Sequence, residues 1–380
     1  MPPCSTILIV TALIALLHAY IGWRLLPGLP LPAPFAWALG LWLVLSVFLI
    51  PAGLLSRAVR TQPLSDRLAW AGLLATGLFS SLLVATLLRD VILALLSLAD
   101  GASQAMLQWS AAAAAGLAFL ATAVGYVNAR RTARVVDVSV PIADLPEELH
   151  GFTIAQISDI HVGPTIKRRY LEAIVERVNG LDADLVAITG DLVDGSVREL
   201  APHTAPLARL TARHGAYFVT GNHEYYSNAH AWIAEVRRLG LRVLLNEHVV
   251  LEHRGRPLVV AGVTDYTAHH FDPSHRSDPV RALAGAPADA VRVLLAHQPR
   301  SAPAAAEAGF HLQLSGHTHG GQFFPWNFFV PLQQPFVAGL NRVRDLWVYT
   351  SRGTGYWGPP KRFLAPSEIT RVRLVAARTP

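Results

Sequence analysis

Phe152-Thr153-Ile154-Ala155-Gln156-Ile157-Ser158-Asp159-Ile160-His161 decides how the rest of the chain reads. Its apolar and β-branched opening predicts a strand over Phe152–Ile157, and a carboxylate and an imidazole stand just beyond the strand's end. The pattern recurs. Strands predicted at Leu185–Thr189, Tyr217–Thr220, Val291–Ala296 and Leu312–Leu314 lead into Gly190-Asp191-Leu192-Val193-Asp194, Gly221-Asn222-His223-Glu224, His297 and Gly316-His317-Thr318-His319-Gly320-Gly321. Open α/β sheets gather their ligand sites outside the carboxyl ends of strands, so these separate segments are expected to converge on one rim. The flanking glycines suit tight turns there. Carboxylate, carboxamide and imidazole together favour a borderline divalent cation such as Mn, Fe, Co or Zn over Mg or Ca alone.

Outward from these blocks, amphipathic stretches near Arg168–Asn179, Leu200–Arg213 and His230–Leu239 predict helices between the strands. Further strands are expected at Val243–Leu245, His248–Glu252, Leu258–Ala261, Leu346–Tyr349 and Ile369–Val375. The class is α/β, with enough strands for two packed sheets flanked by helices. Residues 136–380 form one domain on this reading, large enough for a substantial core.

The first 135 residues are of another kind. Only Arg24, Arg57, Arg60, Asp66, Arg67, Arg89, Asp90 and Asp100 carry charge before Arg130, whereas all histidines but His18 lie from His150 onward. Apolar runs at Thr6–Trp23, Ala33–Leu55, Leu68–Leu88 and Met106–Val127 are each near the ~20 residues that a bilayer core requires, which predicts about four transmembrane helices. Val91–Leu98 is too short to cross alone; it either lies at the interface or extends the third helix past Arg89 and Asp90. A cleaved signal peptide fits poorly, since no basic residue precedes Ile7 and further spans follow. Arginines cluster at Arg57, Arg60 and Arg67 and again at Arg130, Arg131 and Arg134, so those flanks and the domain from residue 136 onward are expected in the cytoplasm of a bacterial-type inner membrane. The net charge of +6 is scattered, so a membrane surface is the expected anionic neighbour and nucleic acid is not. The single Cys4 leaves no intramolecular disulfide and no cysteine-based metal site.

With all five blocks present in order, the chain from Phe152 onward resembles the calcineurin-like metallophosphoesterases. The membrane-tethered subgroup is the one it looks like, judging by the apolar helices and by Gly353-Thr354-Gly355-Tyr356-Trp357-Gly358-Pro359-Pro360. That resemblance implies a four-layer α/β/β/α sandwich after an all-α transmembrane segment. It also implies two divalent cations, Mn foremost with Fe, Zn or Co as substitutes. One would be held by Asp159, His161 and His319, the other by Asn222, His297 and His317, with Asp191 bridging both. Such a pair, roughly 3.5–4 Å apart, would share a hydroxide that attacks phosphorus in line. His223 is assigned to transition-state stabilisation or to protonating the leaving oxygen, so His223 and Asp191 are the candidate catalytic residues. Asp194 and Glu224 are candidates for orienting an imidazole or a loop, with turn or helix capping as the plainer alternative. His203, His214, His248, His253, His269 and His270 fall outside any ligand pattern and read as surface or hydrogen-bonded histidines.

The expected substrate is a phosphodiester or pyrophosphate, and the membrane-associated relatives suggest an envelope lipid precursor such as UDP-2,3-diacylglucosamine. The aromatic run Phe323-Phe324-Pro325-Trp326-Asn327-Phe328-Phe329-Val330 reads either as a lip admitting acyl chains or as buried packing. Arg342, Arg344, Arg352, Lys361 and Arg362 could engage a second phosphate or a lipid headgroup. Two alternatives stay open: a protein or small-molecule phosphomonoesterase, and a non-enzymatic membrane scaffold that retains its metal site. No obligate protein partner is evident in the sequence.

Overall fold

A computed structural model describes residues 4–30, 32–59, 61–98 and 103–377; Arg60 and Asp100 lie outside them. The chain divides into two compact units, Met1–Arg130 with Gly358–Phe363, and Arg131–Trp357 with Leu364–Pro380.

The first unit contains α1 (Cys4–Leu25), α2 (Ala33–Leu54), α3 (Leu64–Ser97) and α4 (Gln104–Arg130), all four long and apolar enough to cross a membrane. Its side chains are distributed opposite to those of a soluble bundle. α3 buries Ser65, Gly72, Gly77, Ser80, Thr86 and Arg89, while Leu13, Phe35, Trp37, Phe48, Leu95 and Trp109 on the four helices are exposed. Small and polar residues inside with large apolar ones outside is the arrangement that lipid favours. Where α2 meets α3, a Cβ on Gly53 would lie 2.7 Å from Gly72 Cα, so only glycine permits that backbone approach.

The charges inside this bundle have partners. Asp90 takes both arms of Arg24 at 2.7 and 2.8 Å and the Tyr20 hydroxyl at 2.6 Å. Arg89 donates to Ser110 Oγ at 2.9 Å and to the carbonyls of Leu107 and Arg24. With both charges satisfied, α3 continues through Ser97, and Val91–Leu98 extends the third helix. Lys361 belongs to this unit too, its Nζ donating to the Gly77 carbonyl and to Ser81 Oγ.

The second unit is α/β. In chain order its elements are β1 (Arg134–Ile142), β2 (Thr153–Ile157), α5 (Arg168–Asn179), β3 (Leu185–Ile188), α6 (Val197–Thr204), β4 (Ala216–Phe218), α7 (Asn222–Tyr226), α8 (Ala229–Arg238) and β5 (Arg242–Val243). There follow β6 (Glu247–His253), β7 (Arg256–Gly262), α9 (Pro279–Ala282), β8 (Val291–Leu295), α10 (Ala302–Glu307), β9 (Leu312–Ser315), β10 (Gly339–Val343), β11 (Leu346–Thr350) and β12 (Glu368–Ala376). Among the described residues one sheet runs β1-β12-β2-β3-β4-β5 and the other β10-β11-β9-β8-β7-β6, six strands each. β2 through β5 are mutually parallel, as are β7, β8, β9 and β11. Their strands are continuous apolar runs because both faces are covered.

Between the sheets lies one core in which Ile154, Leu185 and Val372 from the first pack with Leu258, Val293 and Leu314 from the second. Beyond the second sheet a further cluster joins Leu294 and Val348 to Ala302 and Ala305 of α10. On the first sheet's side, α5 buries Leu171, Ile174, Val175 and Val178 at helical spacing. The sandwich is therefore the expected α/β/β/α arrangement.

Three details differ from the pattern reading. β1 and β10 were not anticipated; both are edge strands with partly exposed residues, and while β10 is short and lacks alternation, β1 does alternate apolar and polar residues over 136–142, a signal that was passed over. The helix expected over Leu200–Arg213 is α6 followed by a tight 3-10 turn over Ala205–Arg209, where Pro206 lacks the N–H that an α-helix would use.

Candidate metal centre

Each ligand block leaves its strand at the carboxyl end. Asp159 follows β2, Asp191 follows β3, Asn222 follows β4, His297 follows β8 and His317 follows β9. The two sheets thus present their turns to a single rim. Asp159, His161, Asp191, His317 and His319 all hold positive φ, between 51° and 70°, a conformation uncommon for residues with a side chain. Gly316 is required for a different reason: a Cβ there would collide with Ser158 and with the Asp159 carboxylate.

Within the rim the side chains lie in two adjoining groups. Asp159 Oδ1 is 3.4 Å from His319 Nε2, which is 3.1 Å from His161 Nε2. Asp191 Oδ2 is 3.1 Å from His297 Nε2, which is 3.2 Å from His317 Nδ1. The same Asp191 oxygen is 3.9 Å from His161 Nε2 and so faces both groups. Asn222 Oδ1 is buried and, among the described residues, has no hydrogen-bond partner.

Donor atoms this close, drawn from carboxylates, imidazoles and an orphaned buried carboxamide, fit divalent cations better than they fit one another. Asp159, His161 and His319 form one group that could hold an ion, and Asp191, His297 and His317 another. His297 Nδ1 is 2.7 Å from the Thr189 carbonyl, a bond that fixes its tautomer and frees Nε2 toward Asp191.

His223 stands beside these groups, its Nε2 4.0 Å from Asp191 Oδ2 and its Nδ1 2.5 Å from Asp194 Oδ1. Asp194 also reaches His161 Nδ1 at 3.3 Å. Glu224 accepts from the backbone N–H of Gly221 at 2.6 Å, Leu192 at 2.8 Å and Asp191 at 3.0 Å, tying two ligand loops together. It is at once the third residue of a helix-capping arrangement and a brace for Asp191.

Electrostatics follow from burial and proximity. Burial opposes ionisation of Asp191, but His297 and His223 outweigh it and hold the carboxyl well below the usual range. Burial and the neighbouring His297 push His317 down to about 3, keeping it neutral and competent as a ligand. Burial also disfavours the charged form of His223, yet Asp191 and the bond to Asp194 prevail and raise it to about 9.

The remaining residues singled out in the sequence lie elsewhere. His214 and His253 share a 3.1 Å ring contact, and His248 reaches the Ala282 carbonyl. Lys361 and Arg362 are buried, and Arg352 is paired with Glu368 at 3.1 Å, so none of the three offers a free cation to a substrate. Phe323 is buried, whereas Phe324, Trp326, Phe328 and Phe329 are exposed. Trp357 and Tyr226 stand edge-on to His223 at 5.7 and 5.1 Å; their place beside it was not read from the sequence, since neither belongs to a ligand motif.

Comparison with known proteins agrees with this geometry. A calcineurin-like phosphoesterase family profile matches residues 152–321. The chain is 41% identical over 273 residues to a transmembrane protein with metallophosphoesterase domain from Danio rerio, covering 69% of this chain and 62% of that one. It is likewise 41% identical over 266 residues to the protein so named from Bos taurus, covering 67% and 60%. The chain therefore spans about three fifths of the length of these relatives. An uncharacterized metallophosphoesterase of Aquifex aeolicus is 30% identical over 245 residues, 63% of this chain and 91% of that protein. A rim of clustered candidate metal ligands on two facing sheets, with these relatives and four apolar helices, makes the chain a membrane protein of the calcineurin-like metallophosphoesterase family.

Proposed function

We propose that the protein is a membrane-anchored binuclear-metal hydrolase that cleaves a phosphodiester or pyrophosphate bond. The observation that carries this reading is Asp191, whose Oδ2 faces His161 on one side and His297 on the other. Asp159, His161 and His319 would hold one cation and Asn222, His297 and His317 the other, with Asp191 available to both. The donor set is nitrogen and oxygen only, which supports Mn, with Fe, Zn or Co able to substitute. When bound, the two ions supply Lewis acidity and an activated water at neutral pH.

The chain's own contribution is orientation and a proton. His223, held at Nδ1 by Asp194, keeps a proton at Nε2 and delivers it to the leaving oxygen. Asp194 and Glu224 are positioning residues: one sets the imidazoles of His223 and His161, the other fixes the loop that carries Asp191. Trp357 and Tyr226 wall His223 and limit water beside it.

A lipid-linked substrate is supported by the exposed aromatic segment just beyond the last ligand block, where acyl chains would find apolar surface. An envelope phospholipid or nucleotide-linked lipid precursor in a bacterial-type inner membrane, cleaved on the cytoplasmic side, is the form we infer. Purified full-length protein loaded with Mn should hydrolyse bis-p-nitrophenyl phosphate. Asp191→Asn or His223→Ala should lose roughly 10²–10⁴-fold of that activity with the fold retained. Near-normal turnover by either variant, or activity confined to phosphopeptides, would refute the proposal.

A further inference from the structure

We propose that His230, Asp272 and His275 form a third divalent-metal site, of the zinc class, separate from the rim around Asp191. His230 stands in the first turn of α8, and Asp272 caps the short turn Pro273–His275. Asp272 Oδ1 is engaged, accepting from Ser274 N at 2.9 Å and Ser274 Oγ at 2.7 Å. Its Oδ2 faces two imidazoles, 3.0 Å from His230 Nε2 and 4.0 Å from His275 Nε2. A tetrahedral ion with bonds of about 2.0–2.1 Å separates its ligand atoms by about 3.3 Å, and the two observed spacings bracket that value.

Hydrogen bonding accounts for the His230 pair alone. At 4.0 Å the His275 nitrogen is beyond hydrogen-bond reach of the carboxylate, yet the ring is held facing it. Its Nδ1 is 2.7 Å from the Tyr225 hydroxyl, and its carbonyl accepts from Thr264 Oγ1 at 2.7 Å. An imidazole fixed through one nitrogen with the other turned toward a carboxylate and a second imidazole is how metal-binding histidines are commonly supported. The His230 side chain is 69% exposed, so the remaining coordination position opens to water. Two imidazoles and one carboxylate with an open position suit Zn, and Ni or Cu next.

The site would clip α8 to the segment carrying Phe271. That ring lies 5.6 Å from Tyr226, which in turn lies 5.1 Å from His223, so occupancy would order one wall of the His223 pocket.

The test is zinc stoichiometry. Full-length protein in detergent is dialysed against micromolar Zn²⁺, and bound zinc is counted for the wild type, His230→Ala and Asp272→Asn. Each variant should bind one equivalent fewer than the wild type. The same loss should appear when His230→Ala is placed in an Asp191→Asn background, so the result does not depend on how many ions the Asp191 rim retains. Equal zinc in the wild type and His230→Ala would overturn the site. His230 is exposed enough that its truncation should leave the fold intact, and an unchanged circular dichroism spectrum checks this.

Discussion

His223 and Asp194, 2.5 Å apart, make the residue-scale argument concrete. An imidazole that donates a proton must hold it at working pH, and Asp191 together with Asp194 raises His223 to about 9 against the opposing effect of burial. The protonated form is then fully present below that value and is lost as pH rises through it. The alkaline limb of kcat/KM is accordingly expected near pH 9 and should move to lower pH in Asp194→Asn, because the amide no longer stabilises the imidazolium. A limb that stays in place would mean that His223 does not carry the transferred proton. Most of this constellation was legible in the sequence, because ligand types, spacing and flanking glycines were all local signals. What the sequence could not express is the backbone: left-handed φ at Asp159, His161, Asp191, His317 and His319 depends on loops packed from two sheets. The His230–Asp272–His275 group was not read for a related reason, since His230 lies far along the chain from the turn that carries Asp272 and His275 and the three match no motif.

At the scale of elements, the buried strands were read correctly, and of the edge strands β5 and β6 were read while β1 and β10 were not. β2, β3, β8 and β9 are largely apolar runs leading into a candidate ligand, so both their existence and their direction were visible. β1 alternates apolar and polar residues over 136–142 and was legible in principle, whereas β10 is short, lacks that alternation and takes its strand character from the hairpin pairing with β11. The segment after His319 was ambiguous from composition alone, and its exposed Phe324, Trp326, Phe328 and Phe329 favour the lip over buried packing. If that lip receives acyl chains, Phe328→Asp with Phe329→Asp should reduce turnover of a phosphodiester lipid in mixed micelles about tenfold or more. Turnover of soluble bis-p-nitrophenyl phosphate should stay within about twofold. Burying even one large aromatic side chain contributes ~1.5–3 kcal/mol, which sets the size of the expected loss. Equal effects on both substrates would remove the argument for a lipid.

For the whole molecule, the sequence divides sharply because two solvents impose two codes. Helices α1 to α4 turn many large apolar side chains outward and keep small residues and Arg89 inside, whereas the α/β unit buries its apolar side chains. The grouping of Gly358–Phe363 with the helices was not legible, because Lys361 and Arg362 look like surface residues until their burial is seen. Arg57, Arg67, Arg130, Arg131 and Arg134 support a cytoplasmic catalytic unit, and a reporter fused after Pro380 is expected to behave as cytoplasmic. Periplasmic activity of that fusion would reverse the orientation. The central claim is that side chains from five separate segments close around two cations joined by Asp191. Electron paramagnetic resonance of the Mn-loaded full-length protein tests it most directly. An exchange-coupled Mn pair in the wild type that disappears in Asp191→Asn is the predicted result, and a spectrum of isolated Mn ions in the wild type would contradict it.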